Sequence, residues 1–278
     1  MRHRRGRFLL VRYAALTVLA FLFAFPFYWM FVTSMEPRSR LSDLPPDVLP
    51  LWDWQNYADA WNAAPWGRYF LNTVFVSSAA TALALVTALL AGYTFGSLRF
   101  PAKRLLFLAV LMVLVIPDEV ILIPQYLILG DLNWLNTYQA QIVPFGASAF
   151  GIFLLRQFFQ TVPRELWDAA QLDGCTRTGY LVHIAAPLAR PALAAVGLYT
   201  FLGMWNQFLY PLVVAGLDPN VQPLQVGLAS FLGVHSVESS QLAAASVFTT
   251  LPLVFAFLLA QKQIIEGVAS TGVGALKA

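Results

Sequence analysis

Residues 13–35 carry no charge at all, and neither do residues 69–98, 132–155, 191–217 or 239–261. A helix needs about 20 apolar residues to cross a hydrocarbon core about 30 Å thick. Runs of this length constrain the fold, because backbone groups in lipid must hydrogen-bond within their own segment and so favour helices. Composition agrees. The chain is 59% hydrophobic and 11% charged, against roughly 25% charged in soluble domains, too few charges to cover a water-facing surface. The class is an all-α membrane protein.

Five arginines precede the first run, within residues 1–12. A basic start before an apolar run also describes a secretory signal peptide. This run is longer than a signal core, and Tyr28-Trp29-Met30 stands where small cleavage-site residues belong. It is read as a retained first span, with a kink expected at Pro26. Residues 36–68 form a polar loop whose Trp52, Trp54 and Trp61 suit the headgroup level.

The third apolar run is interrupted: residues 105–117 are uncharged, Asp118-Glu119 follow, and residues 120–130 are uncharged again. A helix starting at Pro101 gains length and barely spans. Pro117 and Pro124 are expected to break it, leaving 120–129 along the outer face or lining a pathway mouth. Six spans result, organised as one membrane domain over 13–261 between tails at 1–12 and 262–278.

Charge sets the orientation. With the amino terminus inside, segments 1–12, 99–104, 156–190 and 262–278 hold 14 of the 17 Lys and Arg, and the outer segments hold three. Cytoplasmic loops attract Lys and Arg, so both termini and the polar segment 156–190 are expected in the cytoplasm. The basic excess is topological, which removes a nucleic-acid reading. A single cysteine, Cys175, excludes an intrachain disulfide framework. His3, His183 and His235 are scattered, so neither a metal nor another cofactor is expected.

Within 156–190, Asp168-Ala169-Ala170 is followed after three residues by Gly174, and nine residues later by Ile184-Ala185-Ala186-Pro187. This spacing resembles the "EAA" loop of ABC-importer permeases, with Asp168 for the usual Glu and Ala186 for the usual Leu. Phe70-Leu71-Asn72-Thr73, Ile116-Pro117 with Pro124-Gln125-Tyr126, and Trp205-Asn206-Gln207-Phe208 with Pro211 resemble further segments of sugar-uptake permeases of the maltose type. So does the end, Gln261-Lys262, Glu266-Gly267 and Gly274-Ala275-Leu276-Lys277.

The resemblance implies a type I ABC importer permease fold and the shorter, six-helix member of a permease pair. It implies a second permease subunit, two copies of a cytoplasmic ATPase, and an extracellular or periplasmic solute-binding protein. It places the chain in a bacterial or archaeal cytoplasmic membrane, without catalytic residues of its own. The expected docking residues are Trp167, Asp168, Ala169, Ala170, Asp173, Gly174, Ile184 and Pro187. Trp167, Ala170, Leu172 and Cys175 offer an apolar side for a groove on the ATPase. Asp168 suits the positive end of a helix, and Gly174 suits a close approach or a sharp turn. The plainer alternative is an interfacial amphipathic helix without a partner.

Polar residues in apolar runs mark a pathway or a helix contact. Trp205, Asn206, Gln207, Tyr210 and Asn72 are the pathway candidates, with helix-to-helix hydrogen bonding as the alternative for each and the structural role favoured for Asn72. Asp118-Glu119 are read as solvated at the outer mouth. An ion-coupled secondary transporter would use them as its coupling site. An intramembrane enzyme needs a nucleophile or metal set that is not apparent. No Lys or Arg falls in a predicted span, which favours neutral sugar over glycerol phosphate.

Overall fold

The computed structural model describes residues 2–40, 47–216, 218–234 and 239–274. The carboxy-terminal Ala275, Leu276 and Lys277 and the histidine His235 lie outside them. Among the described residues there is no strand. Arg12–Ser34, Trp66–Ser97 and Tyr138–Thr161 are each long and apolar enough to cross a membrane. Two helix pairs meet the same test together but are bent: Lys103–Val113 with Asp118–Asp131 by 96°, and Arg177–Leu188 with Arg190–Trp205 by 76°. Ser239–Phe255 is a shorter apolar stretch.

The chain divides into two compact units. The first comprises Met1–Trp66 and Leu228–Val254. Its long helix α1 (Arg2–Ser34) runs unbroken through Pro26. Apolar side chains such as Phe21 and Phe23, 74% and 72% exposed, line α1, and Val32 and Ser34 at its end are buried together with Met35 just beyond it. The following polar segment is more than an interfacial loop, for it folds a helix of its own, α2 (Gln55–Asn62). Asn56 fastens it by donating from Nδ2 to the carbonyls of Ser34 (3.2 Å) and Glu36 (2.9 Å). Trp66 donates to the Ala60 carbonyl at 2.7 Å, and its ring meets Phe248 edge-on. Trp52, Trp54 and Trp61 stay exposed, as expected of rings at headgroup level.

The second unit, Gly67–Gly227 with Phe255–Ala278, is built around α3 (Trp66–Ser97) and α7 (Ala149–Thr161). Ala80, Ala84, Ala88, Gly92 and Gly96 recur every four residues on one face of α3, and the three alanines are fully buried. A Cβ at Gly92 would lie 2.6 Å from that of Leu155, and one at Gly96 would lie 2.6 Å from that of Phe159. Small residues let helix backbones approach closely where lipid offers no hydrophobic drive for association. Between them α3 and α7 bury Ile152, Leu155, Phe159, Ala88 and Tyr93 in one cluster, which extends to Tyr180, Leu181, Ala185 and Val196.

The interrupted third span is an elbow. Helix α4 (Lys103–Val113) starts two residues later than Pro101, and α5 (Asp118–Asp131) is capped by Pro117. Pro124 does not break α5 but sits inside it, at the cost of one helical hydrogen bond. Lys103 donates from Nζ to the Leu98 carbonyl at 2.8 Å, satisfying the end of α3. The fourth run is also divided, into α6 (Tyr138–Ile142), a 3-10 turn around Pro144 and α7, whose Ser148 cap accepts from the Gly151 N–H. Thr87 donates to the Gly146 carbonyl at 2.6 Å across this break.

Two glycine substitutions on α3 should part company. Gly92→Val overpacks the Leu155 contact and should cost about 1–3 kcal/mol. Gly67→Ala meets open space and should be neutral or stabilising by up to about 1 kcal/mol. Thermal midpoints of the detergent-solubilised protein, followed by size-exclusion chromatography, check both.

Candidate functional site

The segment after α7 forms a helical hairpin. Helix α8 (Glu165–Leu172) ends in a paired turn: the Gly174 N–H donates to the Gln171 carbonyl and the Cys175 N–H to that of Ala170. This is the Schellman arrangement, whose residue past the cap must be left-handed. Gly174 has φ +76°. A Cβ there would meet nothing within 4 Å, so the glycine serves the turn and not a close approach. Helix α9 (Arg177–Tyr180) follows, capped by the Thr176 hydroxyl accepting from the Gly179 N–H at 3.1 Å. A π turn (Leu181–Ala185) and the one-turn α10 (Ala186–Leu188) lead to α11 (Arg190–Trp205). Pro187 therefore starts a turn of helix and does not end the segment; the bend falls at Ala189, with Pro191 in the first turn of α11.

The expected docking residues divide by the way they face. Ala170 is buried, while Trp167 and Ile184 are half-buried against the core around Tyr180 and Ala185. The Trp167 ring meets Tyr180 edge-on at 5.3 Å, and the Arg177 guanidinium lies 4.9 Å from its centre. Pro187 and Cys175 are half-buried as well. The apolar side anticipated from Trp167, Ala170, Leu172 and Cys175 is thus largely covered by the chain itself. Leu172 is the exception, at 90% exposed. Around it Glu165, Asp168, Ala169, Asp173 and Gly174 are all exposed. Sequence reasoning passed over Arg177, Tyr180 and Thr176. The Thr176 cap was legible as a threonine three residues before a glycine, but the ring contacts were not.

A second site lies in the elbow between α4 and α5. A cavity of about 530 Å³ is lined by residues of both helices and of α11, including Asp118, Glu119, Gln125, Tyr199 and Thr200, and by Gln207 just past the end of α11. This is the size range of small-molecule sites. Of the pathway candidates it brings together Gln207 and Tyr210. Tyr210 is buried, donates to the Ala140 carbonyl at 2.9 Å and meets Phe145 edge-on, so its ring faces the cavity while its hydroxyl is engaged elsewhere. Asn206 caps α11 by donating to the Leu202 carbonyl at 2.9 Å. Trp205 is buried against Phe70 and Phe201. Neither is among the lining residues.

Asn72 is a structural residue. It donates to the Gln222 carbonyl at 2.8 Å and accepts from the Tyr138 hydroxyl at 2.7 Å. Thr73 accepts from the Leu224 N–H, Gln141 donates to the Val221 carbonyl, and Gln222 donates to that of Gly216. These buried polar groups fasten the 218–224 segment onto α3 and α6. Asp118 and Glu119 are both exposed, and they also line the cavity from the first turn of α5.

The family model described as "Binding-protein-dependent transport system inner membrane component" matches residues 84–270. The chain is 30% identical over 266 residues to the diacetylchitobiose uptake system permease protein NgcG of Streptomyces coelicolor, covering 94% of this chain and 88% of that protein. It is 31% identical over 263 residues to the arabinooligosaccharides transport system permease protein AraQ of Bacillus subtilis, covering 92% of each. It is also 31% identical over 255 residues to the sn-glycerol-3-phosphate transport system permease protein UgpE of Yersinia pestis, covering 88% of this chain and 90% of that one. Its fold matches a chain in the crystal structure of a bacterial ABC transporter involved in the import of the acidic polysaccharide alginate. The TM-score is 0.79 at 22% identity, over 92% of this chain and 96% of that chain.

Substitutions at Asn72 and Gln207 should separate fold from transport. Asn72→Ala removes the donor to the buried Gln222 carbonyl, while the Tyr138 hydroxyl keeps the Asn220 carbonyl, and should cost about 1–3 kcal/mol, read as a lowered thermal midpoint with solute preference intact. Gln207→Ala should leave the midpoint within about 0.5 kcal/mol of the parent and alter the uptake rate of the assembled transporter.

Proposed function

This chain belongs to the family of binding-protein-dependent transport system inner membrane components, and from that premise we propose that it is the shorter permease subunit of an ATP-driven importer of carbohydrate. Its partners are a second permease, two copies of a cytoplasmic ATPase, and a solute-binding protein on the outer side. The membrane is the cytoplasmic membrane of a bacterium or archaeon. Six spans, with Lys103–Val113 as the third, Arg190–Trp205 as the fifth and the helix that begins at Ser239 as the sixth, bring both termini to the cytoplasm. The excess of Lys and Arg in the inner segments supports that orientation. Two of the relatives above are named for oligosaccharides and one for a phosphate ester. The cavity lining, which has amides, aromatic faces and carboxylates but no Lys or Arg, favours the sugar.

The observation that carries the docking reading is the hairpin α8–Gly174–α9, which presents an exposed Leu172 on a helix braced from behind. ATP hydrolysis occurs in the separate ATPase, so this subunit has to receive force. Leu172 with Asp168, Asp173 and Gly174 is the surface on which the ATPase seats. Trp167, Ala170 and Ile184 transmit the push, because they are packed into the core shared by α3 and α7. Closure of the ATPase dimer around ATP draws the hairpin inward and favours the outward-facing pathway, and hydrolysis resets it. Such a switch needs ligands that bind the two states differently, here ATP and the loaded binding protein.

Affinity purification of the tagged subunit from its own membrane, in mild detergent, should bring down an ATPase and a second permease. Leu172→Glu changes a side chain that touches almost nothing and should leave thermal stability within about 0.5 kcal/mol while the ATPase is lost and the second permease retained. Gly174→Asp, at a left-handed position, should cost about 1–2 kcal/mol and lose the ATPase in the same way. Co-purification of the ATPase with Leu172→Glu at the parent's yield, with normal uptake, would overturn the docking assignment. A chain that reproducibly comes down alone and transports on an ion gradient would overturn the importer itself.

A further inference from the structure

The elbow between α4 and α5 holds the cavity of about 530 Å³, and two adjacent carboxylates, Asp118 and Glu119, form part of its wall. The other polar lining includes Gln125, Gln207 and Thr200, and the Thr200 hydroxyl is buried without a hydrogen-bond partner within the chain. The rings of Tyr199 and Phe150, both among the lining residues, lie 4.7 Å apart and are tilted by 45°. Among the described residues no Lys, Arg or His lines it.

The charge balance is decided by magnitudes. The amino-terminal end of α5 contributes about half a positive charge, against two full negative charges from the carboxylates at the same helix end. The sum is negative, and a half-enclosed cleft of one sign focuses its field. Sugar hydroxyls donate to carboxylates and exchange hydrogen bonds with the amides of Gln125 and Gln207. A phosphate ester or a uronate needs cationic or multiple N–H donors, and instead meets like charge.

We propose that Asp118 and Glu119 make this cavity a charge-selective stretch of the solute path, which admits neutral or cationic glycosides and rejects anionic ones. The inference deepens the carbohydrate reading above and rests on it for the statement that the cavity belongs to a path.

The test uses the assembled complex in native membranes. Cys175, the one cysteine of this chain, is replaced by Ala, and a reporter thiol is introduced by Gln125→Cys. The thiol is treated with a cationic trimethylammonium-ethyl and an anionic sulfonato-ethyl methanethiosulfonate. Modification is read on this chain by mass spectrometry, and the rates are normalised to those of a small thiol in solution. The cation should react faster by about tenfold or more after normalisation, and the ratio should fall toward one when Asp118→Asn and Glu119→Gln are combined. A normalised ratio near one, or a high ratio that survives the two substitutions, overturns the proposal. Should the doubly substituted chain fail to insert, salt decides on the unneutralised chain. A ratio set by the carboxylates falls as ionic strength rises, and one that does not respond overturns the proposal. Uptake of a labelled neutral oligosaccharide by membranes that carry the unsubstituted chain separates the two readings. A high, carboxylate-dependent ratio without sugar uptake supports charge selection and sinks the carbohydrate reading, whereas sugar uptake with a ratio near one sinks charge selection alone.

Discussion

Close contact between the backbones of α3 and α7 is the constraint on which the second unit depends. Lipid tails are as apolar as leucine, so two apolar helices in a bilayer gain little by burying ordinary side chains against each other. They gain by approaching until dispersion contacts multiply, which requires residues with little or no side chain along the seam. The stripe of Ala80, Ala84, Ala88, Gly92 and Gly96 meets that requirement, and Leu155 and Phe159 fill the space that its missing side chains leave. The rest of this unit's core is arranged around that seam.

The docking hairpin is tied to the same seam through rings. Trp167 meets Tyr180 at 5.3 Å, Tyr180 lies 6.3 Å from Tyr93 on α3, and Tyr93 meets Phe159 on α7 at 5.6 Å. Interiors packed at crystal-like density transmit displacement instead of absorbing it. A helix of eight residues that was merely laid on the surface would swivel under load. This one has its buried side packed and its cap closed by two backbone hydrogen bonds, as the proposed docking at Leu172 requires of a helix that passes load to its neighbours.

Much of this was legible in the chain and some was not, for physical reasons. The uncharged runs announce helices because lipid leaves the backbone no alternative partner, and Gly174 announces a turn because few other residues adopt its φ. That the chain itself covers Ala170 and part of Trp167 was not legible, because an apolar residue in a polar segment looks the same whether its cover comes from its own chain or another. The end of α11 at Asn206 was missed because nothing charged marks it; a side-chain amide that bonds back to Leu202 ends the helix without altering hydropathy. The stripe on α3 was visible as spacing, but its meaning depends on what lies opposite, and that is tertiary information. Asp118 and Glu119 were legible as exposed charges, whereas the cavity they also line depends on the 96° bend and could not be read from spacing.

The same bend has an electrical consequence. A straight helix in a bilayer insulates, because its peptide groups are bonded to each other and no water accompanies them. At the elbow the chain leaves α4 after Val113 and enters α5 at Asp118, and irregular backbone at membrane depth persists only inside protein or beside water. A cavity of about 530 Å³ beside it has room for water. Where water enters, the hydrocarbon thickness over which the membrane potential falls is reduced, so the voltage drop concentrates on the remaining dry part of the pathway. A broken span thus makes room for a solute at the expense of insulation, and the barrier to ions has to be rebuilt elsewhere by close-packed side chains.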